Sequence, residues 1–372
     1  MEFIIFIAKV LAVLAVFSVL IIVHEWGHYI SARKIGIRVE RFSIGFGKKI
    51  FSRKVHDTEF MVSAVPLGGY VKMAGDERQQ CKGRRYEFYS HPVGHRVLVV
   101  LMGPLINFLF ALLCFYLICV SGFPRWAPKI GNVDEQSPAH MAGLQKEDYI
   151  FAINGFEIES WKDIQKIVRE SPVQELYLNI RRGNQILMKT VVPRLKTLQN
   201  EFGQEKEVPV IGIQPTGDIV LVSSGPLVSV VLAGQELIKI PVMTFKILFH
   251  IIVGDVPAEG NIGGPVLIVA IIWEAIRLGM AHVIYITAVI SASLAVINLF
   301  PLPVLDGGHI LFMAIEKIRG RPLSAKSEEL LTKIGMAVLM LLMLFVLYND
   351  ISQLEIMKPV KEFVNRLWPG TR

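Results

Sequence analysis

Charge is what this sequence has least of. Only 19% of its 372 residues are Asp, Glu, Lys or Arg, while 52% are hydrophobic. A soluble domain of ordinary composition carries about 25% charged residues, so the shortage excludes that class and points to a chain that spends much of its length in a bilayer. Cysteine is scarce too. Cys81, Cys114 and Cys119 form no CxxC pair and no even framework, which excludes a disulfide scaffold; the last two read as small apolar filler. A removable leader is not expected either. The opening Met-Glu-Phe has no basic n-region, and the apolar run behind it outlasts an h-region, so it is expected to remain as a span. The net charge of +7 would suit nucleic acid, but the basic residues cluster beside apolar segments, as membrane topology requires.

What is present is four runs long enough to cross a bilayer, which takes about 20 apolar residues. They are Phe3–Val23, broken by Lys9; Val97–Val120, without a charge; Gly279–Phe300; and the short Ile334–Tyr348, lengthened by Leu330, Leu331 and a snorkelling Lys333. Residues 33–95 hold 13 Lys/Arg against 6 Asp/Glu, and residues 316–333 hold five Lys/Arg. The positive-inside rule places both stretches in the cytoplasm. Both termini and the large region 121–278 then lie outside. Segment 227–253 is apolar but interrupted by Glu236, Lys239 and Lys246, and reads as an interfacial or packed helix rather than a fifth span.

Two insertions are not membrane helices. Within 128–195, KIGNV, YIFAING, ELYLNIRR and QILMKTVV alternate as strands, SPAHMAGL and SWKDIQKIVRES read as helices, and Asn154-Gly155 is a hairpin turn signal. The pattern resembles a bacterial, strand-permuted PDZ domain, with Glu147 where such domains usually have glycine. That resemblance implies capture of an extended peptide by strand addition; a purely structural module is the alternative. Residues 37–73 read as short strands with turns between them, a small sheet at the membrane face. In it Gly45-Phe46-Gly47 either leaves an edge open to another strand or is an ordinary turn.

The chemistry sits at the end of the first run. His24-Glu25-Trp26-Gly27-His28 is an HExxH motif. Helix positions i and i+4 share a face, so the two imidazoles can hold one ion while Glu25 reaches a water on it. Histidines satisfying each other at a helix end are the bland alternative, but ionisable groups near membrane depth are usually functional. A catalytic zinc takes three protein ligands. The first and third spans run the same way, so the third ligand is sought at the end of the third, in NLFPLPVLDGGHIL. There Pro301 and Pro303 break the helix, and Asp306 follows in a turn made by Gly307 and Gly308. Asp306 is the expected ligand, although a helix N-cap would also suit it. His309 is the rival; His282 lies towards the opposite face. Asn298 is a candidate for binding substrate backbone, steadying an oxyanion, or pairing with carbonyls freed beside the prolines.

HEWGH, Gly103–Asn107 (GPLIN) and NLFPLPVLDGG together resemble the site-2 protease family of intramembrane zinc metalloproteases. Pro66–Met73 (PLGGYVKM), the PDZ-like insert and Asn261–Ile268 (NIGGPVLI) narrow the resemblance to the bacterial regulator-of-sigma-E-protease type. It covers nearly the whole chain. It implies zinc held by His24, His28 and Asp306, Glu25 as catalytic base, and a substrate strand added to the sheet carrying Gly45, Phe46 and Gly47. Asn107, Pro301, Pro303 and Gly307 would be structural residues beside the site. The best-known members have two tandem PDZ domains, whereas this chain has room for one, which puts size screening of substrates in doubt.

The fold expected is therefore a polytopic α-helical membrane protein with four transmembrane helices, a small membrane-associated β-sheet and one inserted extracytoplasmic PDZ-like α/β domain. Its parts would be 1–34, first span with HExxH; 35–95, cytoplasmic-side β region; 96–121, second span; 122–200, PDZ-like domain; 201–278, connecting region with amphipathic helices; 279–318, third span and LDGG; 319–350, loop and fourth span; and 351–372, tail. The partners expected are previously trimmed, single-pass membrane proteins, such as an anti-sigma factor or remnant signal peptides, a peptide on the PDZ-like domain, and lipid, with no nucleic acid. The setting is the bacterial inner membrane, with the site near its cytoplasmic side. A zinc transporter or sensor would need ionisable groups at several depths, and the spans offer only Lys9 and His282 away from the site. An inactive PDZ scaffold would not need HExxH and LDG intact.

Overall fold

The computed structural model describes residues 2–199, 205–257 and 263–353. Helix α1 (Glu2–Ile35) carries HEWGH in its last third. It ends after Arg33 and Lys34, which suit the negative end of the helix dipole, at Gly36 with φ +93°, a conformation open to glycine. The chain then forms β1 (Val39–Val55) and β2 (Thr58–Met73), two long antiparallel strands that double back on themselves. Arg41 pairs with both Lys72 and Glu59, and Ile44 with both Gly69 and Val62; further along, Lys49 faces Ser63 and Val55 faces Thr58. Two strands thus lie four lanes wide. Helix α2 (Val93–Ser121) follows, with Pro104 inside it.

Next come β3 (Phe123–Trp126), β4 (Ile130–Val133), α3 (Pro138–Met141), β5 (Tyr149–Ile153), β6 (Phe156–Glu157), α4 (Trp161–Glu170), β7 (Leu176–Arg182) and β8 (Gln185–Val191). Strands β9 (Arg194–Gln199), β10 (Glu205–Val210), β11 (Ile213–Pro215) and β12 (Ile219–Val222) complete the strand-rich part. Helices α5 (Pro226–Val253), α6 (Pro265–Leu278), α7 (Met280–Asn298), α8 (Asp306–Arg319) and α9 (Ala325–Gln353) close the described chain. Four helices are long and apolar enough to cross a membrane: Val10–Ile35, Val93–Ser121, Met280–Asn298 and Ala325–Ser352. They are the four expected. The fourth gains its length from the polar turns that open α9. Helix α5 is one continuous helix with Pro241 inside it and is not among the four. The tail beyond Gln353, together with Asn261 and Ile262 of the NIGGPVLI motif, lies outside the described residues.

The chain divides into two compact units. The first holds the described residues of Met1–Phe115, Ala233–Leu248 and Pro257–Arg372. Its sheet is pinned to helices by buried Ala32, Ile37, Val39, Met73, Phe88 and Val99, and by Tyr29 packing edge-on against Phe42 and Phe60. Arg96, only 3% exposed, bonds Glu316 at 2.6 Å, and Arg78 reaches the same carboxylate at 2.7 Å. The Arg96 guanidinium holds the Glu316 carboxyl below the usual carboxylate range. This pairing ties α8 to α2 and to the loop after β2.

The second unit, Tyr116–Leu232 with Phe249–Val256, is the α/β module. Strands β6, β5, β7 and β8 form its sheet in that order. In β7, Leu176, Leu178 and Ile180 alternate inward and are fully buried, against Trp161, Ile164 and Val168 on one face of α4. The start of α4 is fastened by Asp163, which accepts from the Ser160 backbone N–H and hydroxyl at 2.9 Å. Asn154 (φ +51°) and Gly155 (φ +81°) make the expected β5–β6 turn. Glu147 adopts φ +73°, which is why a glycine would be at ease there. The module does not stop at 200. Strand β11 pairs with β4 and β12 with β3, so part of the expected connecting region 201–278 is sheet of the module.

Candidate active site and metal centre

Helix α1 places His24 and His28 one turn apart. Their Nε2 atoms lie 3.2 Å from each other, and 3.2 Å and 3.5 Å respectively from Oδ2 of Asp306. Among the described residues this is the group of His, Cys, Asp and Glu donors that converge closely enough to hold one ion. Zinc bonds of about 2.0–2.1 Å at near-tetrahedral angles require donor atoms roughly 3.3–3.4 Å apart. The spacing therefore fits zinc. Two imidazole nitrogens and a carboxylate oxygen, donors of the kind zinc takes, thus converge on one point. Oδ2 of Asp306 is buried and has no hydrogen-bond partner, as a donor atom reserved for an ion should be.

Helix α2 shapes this centre. Nδ1 of His28 donates to the carbonyl of Val99 at 2.9 Å, leaving Nε2 as the lone pair that faces the site. The side chain of Asn107, fully buried, lies 3.4 Å from Nδ1 of His24. Gly27 and Gly103 let the two helices touch backbone to backbone. A Cβ on Gly27 would lie 3.0 Å from Cα of Gly103, and one on Gly103 would meet Cε1 of His24 at 2.9 Å and run into the His28 ring. The GPLIN motif thus has a physical content that the sequence reading did not assign: Gly103 gives the imidazoles room, and Asn107 meets one of them.

Asp306 is the first residue of α8, not its N-cap; Leu305 holds the cap position. Its carboxylate is accordingly not spent on capping. The start of α8 packs tightly against the preceding turn. A Cβ on Gly307 would clash with the carbonyl oxygens of Leu299 and Phe300, and one on Gly308 would lie 2.6 Å from Cα of Pro303. Pro303 in turn rests on Gly335 of α9, where an added Cβ would meet its ring at 2.8 Å. Pro301 is exposed in the same turn.

Glu25 is half-buried, next to His24 on α1. Gly69 of β2 lies against it: a Cβ there would approach Ile21 at 2.8 Å and Cγ of Glu25 at 3.1 Å. Gly45 and Gly47, at φ +90° and +86°, form a bulged corner of β1, with Phe46 paired to Val65 and stacked on Tyr70. The lane edge nearest Glu25 belongs to residues 69–73 of β2, which pair with β1 on one side. Asn298 is the half-buried last residue of α7; no hydrogen bond joins its side chain to the three donors among the described residues. His309 is exposed, edge-on to Phe312, and outside the donor cluster. His282 sits in the first turn of α7, at the end remote from Asn298.

In the second unit, a groove of about 260 Å³ lies between α4 and the β10–β11 segment, lined by Ile164, Val168, Arg169, Val208, Val210 and Ile211 among others.

The family model for peptidase family M50 matches residues 12–342. The chain belongs to this family. It is a zinc metalloprotease of the site-2 type and a multi-pass membrane protein. A Campylobacter jejuni protein, named as a proposed zinc metalloprotease, is 38% identical over 348 residues, covering 92% of this chain and 93% of its own. The regulator of sigma-E protease of Escherichia coli strain K12 is 31% identical, covering 91% of this chain and 97% of its own; a Yersinia pestis protease of the same kind is also 31% identical. The E. coli comparison runs over 442 positions, more than the 372 residues here, so that relative carries sequence without a counterpart in this M50 chain. Among solved structures, the PDZ domain of an SdrC-like protein from Listeria monocytogenes covers 23% of this chain and 84% of that domain at 19% identity, with a TM-score of 0.20, a likeness too slight to carry an argument.

Proposed function

We propose that the protein cleaves a peptide bond in or next to the transmembrane segment of membrane-anchored, previously trimmed substrates, with its site towards the cytoplasmic face of the inner membrane. The observation that carries this reading is the convergence of His24, His28 and Asp306 at zinc spacing, with Glu25 beside them on α1. The basic loops 33–95 and 316–333 support the sidedness. Zinc, when bound, supplies the Lewis acid that brings the pKa of water towards about 7 and polarises the scissile carbonyl. Glu25 takes the proton of the attacking water on its carboxylate and passes it to the leaving amide nitrogen. Asn298, at the end of α7, hydrogen-bonds substrate backbone or the developing oxyanion in this reading.

A transmembrane helix hides its carbonyls in its own hydrogen bonds, so the substrate must be unwound before it can react. Pairing with the lane edge at residues 69–73 of β2 does this and sets which bond lies beside Glu25. The corner at Gly45, Phe46 and Gly47 shapes that sheet. Outside, the groove between α4 and β10 accepts an extended peptide end, so the single module selects substrates already shortened. The E. coli relative is named as a regulator of sigma-E, which supports an anti-sigma factor among the substrates; remnant signal peptides meet the same chemical description. The deciding experiment is Glu25→Gln in the purified, zinc-loaded protein. Cleavage of a single-pass substrate in detergent should fall by about 100- to 10,000-fold while zinc content stays at wild type. Retained cleavage would sink the mechanism.

A further inference from the structure

Both imidazoles of the metal centre must present Nε2 unprotonated, which forces the proton of each neutral ring onto Nδ1. For His28 the fold meets this openly, since Nδ1 donates to the Val99 carbonyl at 2.9 Å. For His24 the group facing Nδ1 is the side-chain amide of Asn107, at 3.4 Å. As placed, the amide nitrogen faces the ring and Oδ1 is left buried without a partner. Amide oxygen and nitrogen are near-identical in shape, and their assignment follows from the hydrogen-bond network. With Nε2 committed to a metal, Nδ1 is a donor, and only the oxygen of Asn107 can accept from it.

We propose that Asn107 is a positioning residue for the metal: its Oδ1 accepts the Nδ1–H of His24 and so holds Nε2 as the ligating lone pair. The reading rests on His24 as a zinc ligand. Asn107 is well fixed for the task. It is fully buried, and Ser291 of α7 donates its hydroxyl to the Asn107 backbone carbonyl at 2.9 Å. Pro104, one turn earlier, removes a helical N–H from α2. One helix therefore orients both imidazoles, His28 through a backbone carbonyl and His24 through a side chain.

The test is zinc affinity of the purified full chain, read by competition with a coloured chelator. Outer-shell partners of this kind are worth about 10–100-fold in metal affinity. Asn107→Leu, close in size but without an acceptor, should weaken zinc binding by that factor. Asn107→Asp restores an acceptor and should return affinity to within about threefold of wild type or better. A merely structural Asn107 would make both variants equally poor, in step with their unfolding midpoints, and that result overturns the proposal; so does Asn107→Leu with wild-type affinity. Should Asn107→Leu fail to fold, nitrogen-15 spectra of histidine-labelled, zinc-loaded wild type decide: a protonated Nδ1 on His24 upholds the proposal and an unprotonated one removes it. Loss of zinc in His24→Ala is read alongside. If zinc stays bound there, the ligand assignment itself has failed rather than the role of Asn107.

Discussion

Nε2 of His24 and Oδ2 of Asp306 stand 3.2 Å apart, although one lies near the end of α1 and the other at the first residue of α8. The contact exists because α1 and α7 bring the same ends to the same place, and because the Leu299–Leu305 turn lets the chain re-enter at once as α8. A carboxylate at this point offsets much of the charge of a divalent cation. Asp306→Asn keeps the shape and removes the charge. It should lower zinc affinity by more than about 100-fold, since even outer-shell partners are worth 10–100-fold. Zinc per chain after gel filtration, measured by atomic emission, checks it; full occupancy at wild-type affinity would remove Asp306 from the ligand set.

Gly103 tests whether the imidazoles depend on a bare patch of α2. A methyl there would meet Cε1 of His24 at 2.9 Å and press on the His28 ring, and neither ring can retreat without leaving the other donors. Gly103→Ala should therefore cost at least about tenfold in zinc affinity. Helix propensity works in the opposite direction, since alanine is favoured over glycine by about 1 kcal/mol. Gly94→Ala on the same helix, where nothing lies within 4 Å of the added methyl, is the control and should bind zinc as wild type does. Equal affinity in both variants would refute the packing argument.

The spans, their number and the convergence of His24, His28 and Asp306 were legible because each rests on a local signal: apolar length for the helices, i and i+4 spacing for His24 and His28, and a proline-broken helix end before Asp306. The capped α4 and the Asn154-Gly155 turn were legible for the same reason. What was not legible depends on contacts between distant segments. Nothing local marks the Val99 carbonyl as a partner for His28, or Gly103 as the floor under two imidazoles. Strands β11 and β12 were missed because their partners, β4 and β3, come some eighty to a hundred residues earlier. At Gly45–Gly47 the residues left an open edge and an ordinary turn as alternatives; positive φ at both glycines bends the strand there, and the lane edge beside Glu25 runs along Gly69–Met73.

In the α/β module, Asp148 is fully buried and held by Arg182 through two bonds of 2.7 and 2.8 Å, with a third from the Gln145 N–H at 2.9 Å. Arg182→Leu strands that carboxylate. Because Arg182 is itself 28% exposed, water can partly replace it, and the cost should fall at or just below the lower end of the 3–5 kcal/mol typical of broken buried pairs, about 2–3 kcal/mol. Replacing both partners by leucine should recover most of the loss. Hydrogen exchange of the β5 and β7 amides in the intact protein reports it, as faster exchange in the single variant and restored protection in the double. Unchanged protection in Arg182→Leu would count against the pair.

Asp350, near the end of α9, is 5% exposed and bonds the backbone N–H groups of Gly264, Val266 and Leu267 at 2.9–3.1 Å. Helix α6 has no side-chain cap of its own: its N-cap is Gly264, and Pro265 at its first position brings no N–H. Asp350 thus caps α6 from another helix and places its charge at the positive end of the α6 dipole. Gly264 must be bare, since a Cβ there would lie 2.6 Å from Oδ2 of Asp350. Asp350→Leu leaves three N–H groups without their acceptor and should cost about 2–3 kcal/mol, combining a lost cap with its dipole interaction. Asp350→Asn keeps an acceptor and loses the charge, so about half that cost is expected. Glu329→Gln, which removes an exposed i,i+4 pair with Lys333 on the same helix, should leave the midpoint essentially where it is. Chemical unfolding midpoints in detergent rank the three. If Asp350→Leu unfolds with the wild type, α6 is held by packing alone and the cap contributes nothing.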